Sequence, residues 1–187
     1  MASFRYRGSP AGSTAVRECV QVRVRVRDAA TVEGECVSSV VDPGLLSLIG
    51  KAAAPQTQLV TRRDIRKYSV ATAQRQRKYL DGDEAPPMFH VALFWPVLPL
   101  DELSANGVAI DPMFPDIPGR RPMAGGLKID FHRPLKPGDE LTATRMLTNI
   151  YSKQGSNGSL IFVEVTMTVI DSAGEIVLTE KTTRIMK

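Results

Sequence analysis

Only four residues among the 187 are histidine or cysteine: His90, His132, Cys19 and Cys36. Imidazole and thiol chemistry therefore has few places to reside. His90 lies in "APPMFHVALFW", three residues after Pro87. Because Pro86 and Pro87 have no N–H, a helix begun there offers its first free backbone donors at Met88, Phe89 and His90. Donors in that position suit an anion such as phosphate, which makes Met88, Phe89 and His90 candidate binding residues. His90 is also the one candidate catalyst, with packing against its neighbours as the plainer role. Gly125 and Gly126 form a second candidate binding pair, since adjacent glycines let the backbone approach a ligand or another backbone closely. Asp81, Asp83 and Glu84 could supply a carboxylate base, but no histidine stands at a workable spacing, and a solvated loop is the better reading. His132 falls on the polar face of an alternating run beside Lys128 and Asp130, which suits a structural or interface residue. Two cysteines form neither a disulfide framework nor a zinc pattern, and both read as packing residues. No metal or cofactor site is expected.

The elements that must carry these residues are legible from period and punctuation. "CVQVRVRVRD" alternates Val20, Val22, Val24 and Val26 with Gln21, Arg23, Arg25 and Arg27, a strand with one apolar and one basic face. An edge strand guarded by charge explains it simply; a phosphate rail is the sharper alternative. After Asp42-Pro43-Gly44 a short helix is expected over "LLSLIGKAAA", then a strand at "QTQLV". A second helix follows in "TRRDIRKYSVAT", with Thr61 and Asp64 at capping spacing. Residues 73–85 read as polar and turn-like. The apolar segment after Pro86-Pro87 predicts a buried helix that must stop near Pro96. Residues 97–122, rich in proline, predict a long irregular segment. From Gly125 on, the pattern is β throughout: 127–133, 141–151, 159–170 and 175–186, with Pro137-Gly138 suited to a type II turn. Long antiparallel strands after a single buried helix imply a curved sheet wrapped round that helix, an α+β fold.

Composition narrows the classes. Net charge is +4 and aromatic content 6%, short of the basic clusters with interleaved aromatics typical of nucleic-acid binders. No apolar run is long enough to span a bilayer, and the N-terminal residues lack the apolar core of a secretory signal. These features point to the cytoplasm, with neither nucleic acid nor membrane as partner. Domain organisation reads as an N-terminal extension over 1–42, holding the basic-faced strand, and one domain over 43–187.

Four stretches carry a family resemblance: "VTRRDIRKYSVAT", "APPMFHVALFWPVLPLDEL", "GRRPMAGGLKIDFHRPLKPGDELT" and "SNGSLIFVEVTMTVIDSAGEIVLTEKTTRI". With these words in order, the chain resembles the hot-dog fold of the MaoC-like hydratases and dehydratases. The likeness is to the N-terminal, non-catalytic half of 3-methylfumaryl-CoA (mesaconyl-CoA type) hydratases and to type 2 hydroxyacyl-thioester dehydratases. It implies reversible addition of water to an enoyl thioester, with an Asp and a His activating the water and a backbone N–H at the central helix holding the enolate oxygen.

In catalytic members the motif is Asp-x-Asn-Pro-x-His. Here the corresponding region reads "VATAQRQRKYLDGDEAPPMFH", and the motif occurs nowhere in the chain. The resemblance therefore implies a degenerate half that shapes the acyl tunnel while a catalytic hot-dog subunit supplies the Asp/His pair. The partners it implies are an acyl-CoA or acyl-carrier-protein thioester and a second hot-dog chain, in a homo- or hetero-oligomer. A non-enzymatic acyl-CoA-binding or scaffolding subunit is the alternative. An acyl-CoA thioesterase fits less well, because "PPMFHVALFW" places no carboxylate or Asn on the central helix.

Overall fold

The computed structural model describes residues 41–103, 107, 109–155 and 158–187. The Val/Arg strand and both cysteines lie outside them. One strand organises the rest. β4 (Gly158–Asp171) points Ile161, Val163, Val165, Met167 and Val169 to one face, and all five are buried. That is the outcome an unbroken period-two apolar row dictates. β3 (Glu140–Gly155) and β5 (Ile176–Met186) flank β4. β1 (Gln56–Leu59) pairs outside β3 and β2 (Pro122–Phe131) outside β5, giving an antiparallel sheet of order β1-β3-β4-β5-β2. A five-stranded antiparallel sheet with a helix packed on one face is the hot-dog arrangement, as the sequence led us to expect.

Register sets which side chains share the covered face. Ala143, Val169, Leu178 and Phe131 form one cross-strand row; Arg145, Met167, Glu180 and Ile129 form the next; Leu147, Val165, Thr182 and Leu127 the third. A bulge after Leu147 brings Ile150, rather than Asn149, to the inner face opposite Val163 and Arg184. Two apolar clusters cover this face. One joins Val60, Ile65, Ala85, Phe89 and Leu135 to the Leu141–Val169–Leu178 end of the sheet. The other joins Val41, Met113 and the flanks Leu45, Leu48, Phe114 and Ile117 to Leu147, Ile150, Val163 and Met186.

The helices depart from expectation in extent. Asp42 caps α1 (Pro43–Leu46), its carboxylate accepting from the Gly44 N–H at 2.9 Å, but the helix ends there and not at residue 54. Backbone bonds from Gly50 and Ala53 to Leu147 and Arg145, and from Leu147 to Lys51, draw the chain into the edge of β3 instead. α2 (Arg62–Ala71) starts as its sequence predicts: the Thr61 Oγ1 accepts from the Asp64 N–H and donates to the Asp64 carboxylate at 2.6 Å. Within residues 73–85, read as turns, the structure forms one helical turn, α3 (Arg77–Leu80). The central helix α4 (Phe89–Phe94) is buried only in its first turn, at Phe89 and His90. Trp95 beyond it is 60% exposed. Pro96 and Pro99 stop the helix after six residues, too short to carry its far end across the sheet.

The "DFHRPLKPGDE" stretch is a clamp. Arg133 donates to Asp139 in the Pro-Gly turn at 2.7 Å and to Asp171 at the end of β4 at 3.0 Å. Asp171 also receives the Ala173 and Glu175 N–H groups, and these donors, Arg133 first, hold its carboxyl below the ordinary aspartate range. The same stretch closes the sheet through the His132 N–H, which donates to the Val177 carbonyl at 2.9 Å, while the His132 side chain stays exposed.

Gly82 ties α3 to α2. Its φ is +76, and a Cβ there would lie 2.8 Å from the Arg62 carbonyl oxygen and 2.9 Å from Arg66 Cγ. Left-handed backbone costs an L-residue about 1–2 kcal/mol before any clash. Gly82→Ala is therefore expected to lower stability by more than about 1 kcal/mol, read as a fall in Tm by circular dichroism. An unchanged Tm would contradict the packing described.

Candidate functional site

The residues around the start of α4 divide the chain's concave side into two cavities that share Phe89 as a wall. The larger, about 820 Å3, opens between β1, α2 and α4 and is lined by Gln56, Gln58, Lys67, Tyr68, Leu93 and Trp95 among others. The smaller, about 230 Å3, lies behind Pro86 and Pro87 and is walled by Tyr79, Leu135, Phe131, His90, Glu84 and Arg133 among others. Phe89 is positioned by an edge-on contact with Tyr68, ring centres 5.5 Å apart. Met88, at the turn into the helix, takes φ +69, an uncommon conformation for a side chain other than glycine that tightens the entry to α4.

His90 is fully buried, and its Nε2 lies 2.7 Å from the Glu180 carboxylate on β5. Its ring meets Phe131 edge-on at 5.9 Å. Glu180 also accepts from the Thr182 hydroxyl at 3.0 Å. Burial is the largest influence on Glu180 and pushes its carboxyl upward, but hydrogen bonds from His90 and Thr182, with the positive charge of Arg145 behind them, outweigh it. The carboxyl is held below the ordinary glutamate range. The neighbouring inward charges are answered in the same way: Arg145 pairs with Asp111 at 2.5 Å, and the Arg184 guanidinium stacks over Phe114 at 4.5 Å. Charged side chains facing the covered side of a sheet need such partners, since an unpaired buried charge is costly.

The structure brings some of the sequence's candidates together and separates others. Phe89 and His90 both wall the smaller cavity; Met88 does not line it. Gly125 and Gly126 sit at a bulge between β2 and β5 and line neither cavity. A Cβ at Gly125 would come within 2.9 Å of the Thr183 carbonyl and Ile185 Cγ1, so the close approach there is to the neighbouring strand. Asp81, Asp83 and Glu84 pair with Arg77, Arg62 and Lys78 respectively. Glu180 was missed in the sequence because it alternates with Thr179 and Lys181 in a run that reads as a polar strand; only a charge on the same face as Leu178 hinted that it points inward. Among the described residues no group of His, Cys, Asp and Glu could hold a metal ion, and no helix is long and apolar enough to cross a membrane.

Glu180 makes stability depend on pH in a defined direction. A carboxyl whose folded value is depressed stabilises the fold above its unfolded value, and that contribution is lost as pH falls through the folded value. The stability difference between the natural chain and Glu180→Gln is thus expected to be constant above the ordinary glutamate range and to shrink as pH falls through and below it. Urea titrations across an acid pH series measure this; a difference independent of pH would show that Glu180 is not held ionised by its partners.

Comparison with known proteins places this geometry in context. Residues 47–180 match the family model "FAS1-like, dehydratase domain region". A mesaconyl-C(4)-CoA hydratase of Chloroflexus aurantiacus is 38% identical over 81 residues, 43% of this chain, and that match spans 29% of the hydratase's own length. A UPF0336 protein of Streptomyces griseus is 27% identical over 140 residues, covering 73% of this chain and 90% of the relative. Among solved structures, the ChsH1-ChsH2 complex of Mycobacterium tuberculosis superposes with a TM-score of 0.51 at 16% identity over 72% of this chain and 87% of that one, a likeness of fold.

Proposed function

This chain belongs to the FAS1-like dehydratase-region family, and from that membership we propose that it is the non-catalytic hot-dog subunit of an enoyl-thioester hydratase or 3-hydroxyacyl-thioester dehydratase. The observation that carries the reading is at residues 72–85. Catalytic relatives are expected to carry the Asp-x-Asn-Pro-x-His motif in that region; here it is absent, and Asp81, Asp83 and Glu84 are each engaged by a basic side chain. Carboxylates held in ion pairs are poor bases, and no histidine accompanies them. This chain then supplies walls for the acyl group, with the groove between β1, α2 and α4 as its share of the tunnel and Phe89 at the end of it. The acid–base pair comes from a second hot-dog chain in the same, cytoplasmic, complex. The hydratase named among its relatives and the two-chain complex among its structural neighbours both support this reading.

The sheet offers an edge for that association. β2 is an edge strand, and Leu127 and Phe131 on its inner side are 49% and 47% exposed, Phe131 despite its edge-on contact with the His90 ring. Unpaired edges of this kind invite a partner strand. Leu127→Lys with Phe131→Lys is expected to shift the chain from dimer towards monomer in sedimentation velocity and to weaken capture of the catalytic subunit. A natural chain that sediments as a monomer and captures no partner when co-expressed with its neighbouring genes would count against association.

The activity prediction is a contrast. The isolated chain is expected to hydrate crotonyl-CoA at no more than the uncatalysed rate, and a complex with a hot-dog subunit carrying an intact Asp-x-Asn-Pro-x-His motif is expected to turn over. Robust turnover by the isolated chain would overturn the division of labour proposed here.

A further inference from the structure

The groove between β1, α2 and α4 runs out to a free sheet edge. Register puts Gln56 and Gln58 opposite Ala143 and Leu141, on the covered face, so the Thr57 and Leu59 side chains point to the other face; all four residues nevertheless line the groove. The Val60 backbone bonds to the chain entering β3, donating to the Asp139 carbonyl and accepting from the Gly138 N–H. Backbone groups alternate sides along an antiparallel strand, so Thr57 and Leu59 direct their N–H and C=O groups away from β3. β1 ends the sheet, and no described strand pairs with that edge. Leu59, Trp95 and Val97 beside it are exposed. An apolar groove with unused strand donors and acceptors along one side fits an added strand.

One segment of this chain, outside the described residues, carries the sequence pattern such an edge requires: Val20, Val22, Val24 and Val26 alternating with Gln21, Arg23, Arg25 and Arg27. Residues 27 to 41 are 14 steps of chain (41 − 27), which extended would span about 46 Å. Val41 packs in the cluster of Leu147 and Ile150, and β1 meets β3 at Ala143, about 14 Å back along the strand from Leu147. The reach is ample, and charge decides the edge and the face. On the groove side Lys67 stands among Tyr68, Phe89, Leu93 and Trp95, a surface that suits valines and repels arginines. Asp64, which also lines it, is engaged by the Thr61 hydroxyl. The other side offers Thr57, Leu59 and, opposite Leu59, Glu140, which has no ion pair among the described residues. At the β2 edge the corresponding face carries Lys128 opposite Lys181, and although each has a carboxylate partner, arginines there would add like charge.

We propose that the chain's own segment Val20–Arg27 adds to the outer edge of β1 as a sixth strand, its valines turned to the groove and its arginines to the face of Thr57 and Glu140. The groove thereby gains a wall made by the chain itself, and the β1 edge is closed to other chains while β2 stays open for association. This goes beyond the tunnel function proposed above and does not rest on it.

Trp95 lines the groove and is the only tryptophan in the chain, so its fluorescence reports on that wall. In the full natural chain Trp95 should resist acrylamide quenching. The Thr57 and Leu59 amides, followed by NMR, should exchange with deuterium about tenfold more slowly than in a Val22→Lys, Val24→Lys variant, the equivalent of one hydrogen bond. That variant should also lose the shielding of Trp95. An Arg23→Gln, Arg25→Gln variant should keep both the shielding and the protection. Leu59→Pro removes an outward N–H and no bond to β3, and should expose Trp95 as the lysine pair does, so the test survives if either variant fails to fold. Equal quenching and equal exchange in the natural chain and the lysine variant would overturn the proposal. So would protection lost in the glutamine variant and kept in the lysine variant, which would turn the arginines to the groove. Shielding of Trp95 that falls on dilution would assign the edge to a second copy and would equally overturn it. No thioester or partner enters the assay, so its failure and the failure of the hydratase reading are separate results.

Discussion

Covering the inner face of β4 is the requirement from which the other features follow. Five apolar side chains in strict alternation leave the strand no arrangement in which both faces meet water. β3 and β5 flank it along most of its length, and their inner residues extend the apolar surface at both ends of the sheet. The covering material is limited: α2 brings Ile65 and Tyr68, α4 has six residues and α1 four, and most of the rest is loop. The cover is therefore built as two clusters, one anchored by Phe89, Ile65 and Val60, the other by Val41 and Met113. Burying a side chain such as Phe or Ile contributes about 1.5–3 kcal/mol, enough to hold a short helix that would not be stable alone.

Between the clusters the sheet turns inward several charges that an ordinary core would exclude. Arg145 and Glu180 share a row with Met167, and Arg184 shares one with Val163. Each has found an answer from the covering layer: Asp111, His90 and the ring of Phe114. The arrangement links cover to sheet by specific contacts where non-directional apolar packing is thin. It also explains why His90 is buried at all. Its position at the mouth of α4 is decided by Pro86 and Pro87, and its burial by a carboxylate arriving from a strand ninety residues later.

The same shortage of cover leaves apolar surface at the margins. Trp95, Val97 and Leu100 beyond the helix, and Leu127 and Phe131 on β2, are exposed. The pairing proposed above would cover such surface, and the open groove beside Leu59 and Trp95 lies on one of these margins.

How much of this could be read without coordinates differs by element. Alternation in 159–170, the Thr61–Asp64 cap, the stop at Pro96 and the Pro137-Gly138 turn are local facts. They depend on residues within one turn or one strand, so sequence alone determined them, and with them the α+β class and the family likeness. Helix extents were less legible. Residues 47–54 carry helical periodicity but are claimed by the edge of β3, and Arg77–Leu80 close a turn of helix because Gly82 and Arg62 permit it. The site was legible in half: His90 stood out by type and place, its partner did not. Whether an inward-facing strand carboxylate meets a helix histidine depends on sheet register and on the angle at which α4 enters. Both are set by packing between segments far apart in the chain, so only the tertiary structure could decide that His90 is buried, that Glu180 holds it, and that its second nitrogen has no partner among the described residues.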